Sequence, residues 1–211
     1  MTETMQPKIT NVMFDFCGVL LDWRPDLALE GEYPQGVVDM FFDPHDPWGF
    51  DYYDQLCDAG WSESRILSDY EKHHGPAVAW VFQVYFNHFE RAFHGLIPGM
   101  GELLHDLRSA GIGMWGLTNF TKSSVDEACR RFSELALLSG IVVSAEEHLI
   151  KPDPRIYQLA LKRFSLQAEH TVFIDDRQTN VEAAQHLGIH GICFTDADEL
   201  RESLKTMDIL S

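Results

Sequence analysis

Short apolar runs and helix-patterned segments alternate along much of the chain. Residues 9–14 form an apolar run that ends at Asp15. Residues 112–117 form a second, ending at Thr118-Asn119, and residues 140–143 a third. Residues 171–174 form a fourth, ending at Asp175-Asp176, and residues 191–194 a fifth. Runs this short and apolar read as strands. Between them, residues 100–110 place Leu103, Leu104 and Leu107 at helical spacing and stop at Gly111. Residues 122–132 and 154–164 also read as helices, the latter with Pro154 in its first turn, where proline is tolerated. A further helix spans 178–187 and closes at Gly188. Continuous apolar strands separated by helices predict an α/β fold with a parallel sheet covered on both faces.

Residues 20–95 break this rhythm. They hold 16 of the 25 aromatic residues, and 14 acidic against 4 basic side chains. That composition predicts a separate, mostly helical insertion after the first strand. The expected division is a core of residues 1–19 and 96–211 with an inserted domain of residues 20–95. Gly95, Pro98 and Gly99, where the chain re-enters the core, suit either a hinge or a plain connection.

The 211 residues carry 16 Lys and Arg against 33 Asp and Glu, a formal net charge of −17. So acidic a surface repels phosphate backbones and anionic lipid, which predicts no nucleic-acid partner and no membrane partner. A small anionic substrate stays compatible, because a few cations or a metal ion dominate a single pocket. Cys17, Cys57, Cys129 and Cys193 form no CxxC pair and no zinc spacing, which predicts reduced thiols in a cytoplasmic protein. Residues 1–8 are short and polar with no signal-peptide core, and no apolar stretch approaches a membrane span.

Ligands of parallel sheets bind at the carboxyl ends of the strands, and three of the runs end there in polar residues. Asp15 alone reads as a turn or cap as readily as a functional carboxylate. Thr118-Asn119 alone reads as an ordinary N-cap, and Lys151, before Pro152, as a solvated loop residue. Asp175-Asp176 is more specific. Two adjacent carboxylates at a buried strand end repel each other, and a divalent cation removes that penalty. Together the four supply a nucleophilic carboxylate, hydroxyl and amide donors, a fixed cation and an acidic metal-binding pair. Phosphoryl transfer to a carboxylate requires that set.

In these motifs the chain resembles the haloacid dehalogenase-like (HAD) hydrolase superfamily, in its phosphatase branch with a helical cap. The motifs stand in the family's order: Asp15-Phe16-Cys17-Gly18-Val19 with Asp22, then Thr118-Asn119, then Lys151-Pro152, then Asp175-Asp176 with Asn180. Residues 151–157 and 172–188 also resemble cytosolic sugar-phosphate phosphatases. The resemblance implies a Rossmann-like sheet with a helical cap inserted after the first strand, which agrees with the compositional boundary. It implies Mg2+ as cofactor, a small phosphorylated metabolite as substrate with a sugar phosphate favoured, and a monomer or homodimer. Carried over residue by residue, it makes Asp15 the nucleophile and a magnesium ligand, and the Cys17 backbone carbonyl a second ligand. Asp176 would ligate directly, and Asp175 directly or through water. Thr118 and Asn119 would bind the phosphoryl group, and Lys151 would neutralise the nucleophile and the transferring phosphate. Arg24, soon after motif one, is a candidate for a phosphate or substrate carboxylate, or else a surface arginine near the hinge.

Position 17 departs from the pattern. Most phosphatases of the family carry a second Asp there, which protonates the leaving group and then activates water. A thiol, with an ordinary pKa of about 8.5, is a poor general acid at neutral pH. Three readings follow: a substrate whose leaving group needs little protonation, a replacement acid from the cap or the substrate, or a catalytically weak protein that binds phosphorylated ligands. A reactive Cys17 would also be an oxidation-sensitive point. A 2-haloacid dehalogenase is disfavoured, since those enzymes typically lack the acidic pair and carry an aromatic residue where Cys17 stands. Within the insertion, His73, His74, His88 and His94 are candidate acid–base groups, though each reads more simply as a surface or packing residue.

Overall fold

A computed structural model describes residues 8–211; the polar stretch at residues 1–7 lies outside the described residues. The chain opens with strand β1 (Asn11–Phe14) and a short strand β2 (Leu21–Trp23). Helices α1 (Gln35–Phe41), α2 (Phe50–Asp58) and α3 (Glu63–Asn87) follow, and strand β3 (Phe93–Leu96) closes that excursion. Then come α4 (Met100–Ser109), β4 (Gly113–Thr118), α5 (Lys122–Arg131), β5 (Ile141–Val143) and the single-turn α6 (Ser144–Glu147). The chain ends with α7 (Pro154–Phe164), β6 (Thr171–Asp175), α8 (Gln178–Gln185), β7 (His190–Cys193) and α9 (Ala197–Thr206).

Five of the strands form one parallel sheet in the order β5-β4-β1-β6-β7. This is the expected α/β, Rossmann-like architecture. Alternation along the strands sends side chains to both faces. Val12, Phe14, Met114, Val172 and Ile174 pack with α4, α5 and α9 on one side. Met13, Leu117, Val142 and Phe173 pack with α7 and α8 on the other. Because both faces are covered, the strands are nearly continuous apolar runs. Each expected strand and helix of the core is present, with ends shifted by up to two residues.

Register then places the site. Phe14 pairs with Gly116 on one side and Ile174 on the other. Asp15 therefore emerges beside Asp175, and its backbone N–H still donates to Ile174 O at 2.9 Å.

The insertion carries its own apolar core. Phe41, Phe50, Tyr53, Tyr70, Phe82 and Tyr85 are each buried and meet in tilted or edge-to-face pairs. Such pairs add about 0.5–1.5 kcal/mol each beyond the area they bury. The helix α3 kinks at Gly75-Pro76, where Gly75 leaves the helical range. The joint with the core is a two-stranded ribbon. Strands β2 and β3 pair antiparallel, Leu21 with Leu96 and Asp22 with Gly95. Gly95 is thus a strand residue, and the chain enters and leaves the insertion side by side. No helix is long and apolar enough to cross a membrane among the described residues.

Candidate active site

The loop after β1 turns tightly over Phe16, whose carbonyl accepts hydrogen bonds from Leu20 and Leu21 at 2.8 Å each. Gly18 adopts φ +78°, the left-handed region that favours glycine. It also makes room: a Cβ built there would stand 2.7 Å from Asp176 Oδ2. Glycine at 18 thus lets the β1 loop lie against the β6 loop.

Asp15 is 7% exposed. Its Oδ1 accepts from the Phe16 N–H at 2.7 Å and pairs with Lys151 Nζ at 2.8 Å, which leaves Oδ2 as its free oxygen among the described residues. Burial raises its pKa, Lys151 pulls it back and Asp175 adds to the rise, with the result pushed up to about 6. Lys151, 3% exposed, also donates to Asp175 Oδ2 at 2.7 Å and to Leu117 O at 3.1 Å. Burial alone would lower its pKa; the two carboxylates outweigh burial and hold it cationic. Removing one partner of such a buried pair typically costs about 3–5 kcal/mol.

Asp175 is fully buried and saturated. Its oxygens accept from Lys151 Nζ, from the Arg177 N–H at 2.9 Å and from Asn180 Nδ2 at 2.9 and 3.1 Å. Asp176, the next residue, is exposed to the cleft and forms no ion pair among the described residues. Burial and the Asp175 charge raise its pKa. Asp15, Asp175 and Asp176 each offer an oxygen within 4.8 Å of the others. Three carboxylates against one lysine leave net negative charge on hard oxygen donors, a set that suits magnesium.

Asn119 makes a contact that its position in the sequence did not suggest, and Arg24 takes the surface one of its two expected places. Asn119 lines the cleft with one of its two Nδ2–H donors uncommitted among the described residues. Its Nδ2 donates to Lys151 O at 3.1 Å and its Oδ1 accepts from the Lys151 N–H at 2.8 Å, so it clamps the lysine's backbone. Arg24 turns away, held by Asp26 at the surface at 3.3 Å, and does not line the cleft. Thr118 stays where it was expected, at the end of β4 beside Asn119. It is fully buried, and its Oγ1 has no hydrogen-bond partner among the described residues. Leaving a buried hydroxyl unsatisfied costs about 1–3 kcal/mol, so such an atom marks a place for a ligand or water. The Ser144 hydroxyl secures the turn that follows, accepting from the Phe120 N–H at 3.0 Å.

Cys17 lines the cleft. Burial raises its pKa well above the usual range, and Asp15, Asp58 and Asp54 raise it further, which disfavours the thiolate. The insertion histidines stand apart from the cleft. His73 stacks on Trp48, His74 pairs with Asp46 at 2.6 Å, His88 approaches Glu32 and His94 pairs with Asp22. The sequence reading missed three charged side chains that do line it, Arg177, Asp54 and Asp58, and the aromatic Phe120. Arg177 had a signal, since it directly follows the acidic pair.

The cleft shares Trp23, Phe120, Asp54 and Asp58 with a narrower aromatic chamber that Trp61, Tyr85, Phe86 and Phe89 also line. The haloacid dehalogenase-like hydrolase family matches residues 9–188. The chain belongs to this family. Among curated relatives of this HAD hydrolase, the sesquiterpene phosphatase astK of Aspergillus oryzae is 35% identical over 98 residues, covering 46% of this chain and 50% of that protein. The chain thus spans about half the length of that relative. The phosphorylated carbohydrates phosphatase of Thermotoga maritima is 26% identical over 86% of this chain and 82% of its own length. A HAD family enzyme of Bacteroides thetaiotaomicron, solved as a magnesium complex, superposes with a TM-score of 0.73 at 18% identity. It covers 94% of this chain and 100% of that one.

Proposed function

We propose that this HAD hydrolase is a phosphatase that cleaves a small phosphorylated metabolite through an aspartyl-phosphate on Asp15. One observation carries the reading: a fully buried, unpartnered Thr118 hydroxyl at the carboxyl edge of the sheet whose Asp15 is paired to Lys151. In this reading Asp15 Oδ2, the oxygen not held by Lys151, attacks phosphorus. Thr118 donates to a phosphoryl oxygen, and Lys151 offsets the charge that gathers as the two anions meet. Asn119 contributes by fixing the lysine's backbone. Asp15, Asp176 and the Cys17 carbonyl would hold magnesium, with saturated Asp175 acting through water. The bound metal would offset charge on the nucleophile and phosphate and orient them. The magnesium complex of the Bacteroides enzyme supports this choice.

Residues 20–95 act in this reading as a cap over the cleft and choose the substrate. Aromatic walls formed by Trp23, Trp61, Tyr85 and Phe120 suit one face of a sugar ring, and the Thermotoga relative supports a sugar phosphate. The same walls favour a second substrate reading, a phosphate ester of an apolar alcohol, which the Aspergillus relative supports. The four free cysteines support action in a reducing cytoplasm.

The test is phosphate release from a panel of metabolite phosphates, with magnesium and then with chelator. Asp15→Asn should fall to the uncatalysed background with an unchanged circular-dichroism spectrum. An Asp15→Asn variant that still turns over ends the nucleophile assignment. No turnover by the wild type, even of a nitrophenyl ester, would favour a phospholigand-binding protein, the reading that the protonated Cys17 thiol motivates.

A further inference from the structure

A phosphatase of this kind needs an acid for the leaving alcohol and a base for the incoming water, and position 17 supplies neither. We infer that Asp58, projected into the cleft from α2, is the general acid and base, and that Asp54 tunes it. The assignment rests on the phosphatase reading and deepens it.

The geometry comes first. Asp54 and Asp58 stand four residues apart on α2 and so share one helix face. The adjoining face, Phe50, Tyr53 and Cys57, is buried in the core of the insertion, so the two aspartates flank that core at its edge. Both aspartates line the phosphoryl cleft together with Asp15 and Lys151, and both also line the aromatic chamber. They therefore stand where the two spaces meet, which is where the bond between phosphate and leaving group must lie. Neither carboxylate makes a hydrogen bond to any side chain or backbone group among the described residues, so both keep oxygens open to the cleft.

The end of α2 is fixed to the core. The His148 Nδ1–H donates to Ala59 O at 3.2 Å. Gly60 is so close that a Cβ there would stand 2.7 Å from Ala145 O. Asp58 is thus held by a contact between insertion and core, as an acid–base group must be.

The electrostatics agree. Burial raises the pKa of Asp58 well above the usual range, Asp54 and Asp15 raise it further, and Lys151 and Arg177 pull it back. Burial and Asp51 push Asp54 up to about 7, with Arg177 opposing. Of the other groups facing this space, Asp176 lies across the cleft, Glu63 and Tyr85 border the chamber, and the Cys17 thiol is neutral. Two neighbouring carboxylates on one half-buried helix face repel each other, which favours the protonated form of one of them.

The chemistry balances. As the P–O bond to the alcohol breaks, the Asp58 carboxylic acid gives its proton to the departing oxygen and becomes a carboxylate. That carboxylate then takes a proton from water while the water oxygen bonds to phosphorus. The bond from phosphorus to Asp15 breaks, inorganic phosphate leaves, and both aspartates return to their starting forms.

The experiment compares Asp58→Asn with the wild type on an alkyl phosphate and on nitrophenyl phosphate, whose leaving group departs as an anion unaided. On the alkyl ester, kcat/KM should fall by about 10²–10⁴-fold. On the nitrophenyl ester the first turnover should survive and the later ones slow, giving a nitrophenolate burst stoichiometric with enzyme and a trapped phosphoenzyme. Equal losses on both esters without a burst would reassign Asp58 to structure, and an undiminished alkyl-ester rate would overturn the proposal. Asp54→Asn gives a second readout. Removing its negative charge lowers the pKa of Asp58, so the basic limb of the alkyl-ester pH profile should move to lower pH. An unmoved limb would also overturn it. A wild type inactive on both esters defeats the phosphatase reading itself, an outcome distinct from these.

Discussion

Asn119 grips the backbone of Lys151 on both sides of its Cα, donating to its carbonyl at 3.1 Å and accepting from its N–H at 2.8 Å. The two residues are 32 positions apart, on the loops after β4 and before α7. The clamp ties the loop that carries the cation to the strand end that carries Thr118. Asn119→Ala removes both hydrogen bonds and frees the lysine loop. A displacement of about 1 Å in such a site costs about 10²-fold in rate. We expect kcat to fall by about that factor with the fold retained, measured by steady-state phosphate release.

Gly18→Ala should damage the site by a different route. Its φ of +78° costs a non-glycine residue about 1–2 kcal/mol. Its new methyl would also meet Asp176 Oδ2 at 2.7 Å and push that carboxylate aside. Denaturant melts should show the loss of stability, and titrations should show a raised magnesium requirement.

Magnesium should stabilise the protein independently of turnover. It binds the folded site and lowers repulsion among Asp15, Asp175 and Asp176. At one hundred times its dissociation constant a ligand adds about 2.7 kcal/mol. A rise in melting temperature with magnesium is expected for the wild type and not for Asp176→Asn. The shift in the wild type should vanish with chelator.

Asp54→Asn should stabilise the protein at alkaline pH. The folded pKa of Asp54 is about 7 against 3.8 ordinarily, so the unfolded chain ionises first as pH rises. Stability is therefore lost progressively between those values, and the loss is complete above the folded pKa. The asparagine variant escapes it. A gain of about 1 kcal/mol, or about 2–4 °C in melting temperature, is expected at pH 8. The gain should shrink at pH 5 and disappear below pH 4, as scanning calorimetry across that range would show.

Much of this molecule is legible in its sequence because burial on both faces writes the core strands as apolar runs. Asp15, Thr118 and Asp175 each follow directly from a run's end, and Pro154 and Gly188 punctuate helices in the usual way. Helix α9 is legible too, from Asp196 as its cap and Leu200 and Leu204 at helical spacing. The ribbon of β2 and β3 was not legible. Its strands are short, half polar, and paired across the whole insertion. Asn119 offered no hint of its clamp, because an asparagine after a strand looks the same whichever backbone it holds. Asp54 and Asp58 were hidden among 14 acidic residues of the insertion. Their four-residue spacing is a signal only once it is known that the adjoining face of α2 packs into a core.

The ribbon has a consequence for how such a protein diversifies. Leu21 lies opposite Leu96, so the entire insertion begins and ends at neighbouring points. To the sheet it is one long hairpin loop. Doubling the length of a loop costs only about 0.6 kcal/mol in closure entropy. Helices can therefore be added, exchanged or deleted beyond β2 and β3 with little penalty to the sheet. The carboxylate, lysine and threonine stay in place while the selecting element is replaced as a cassette. A graft spliced at Trp23 and Phe93 would carry a new substrate preference onto unchanged chemistry, and would carry its own acid with it.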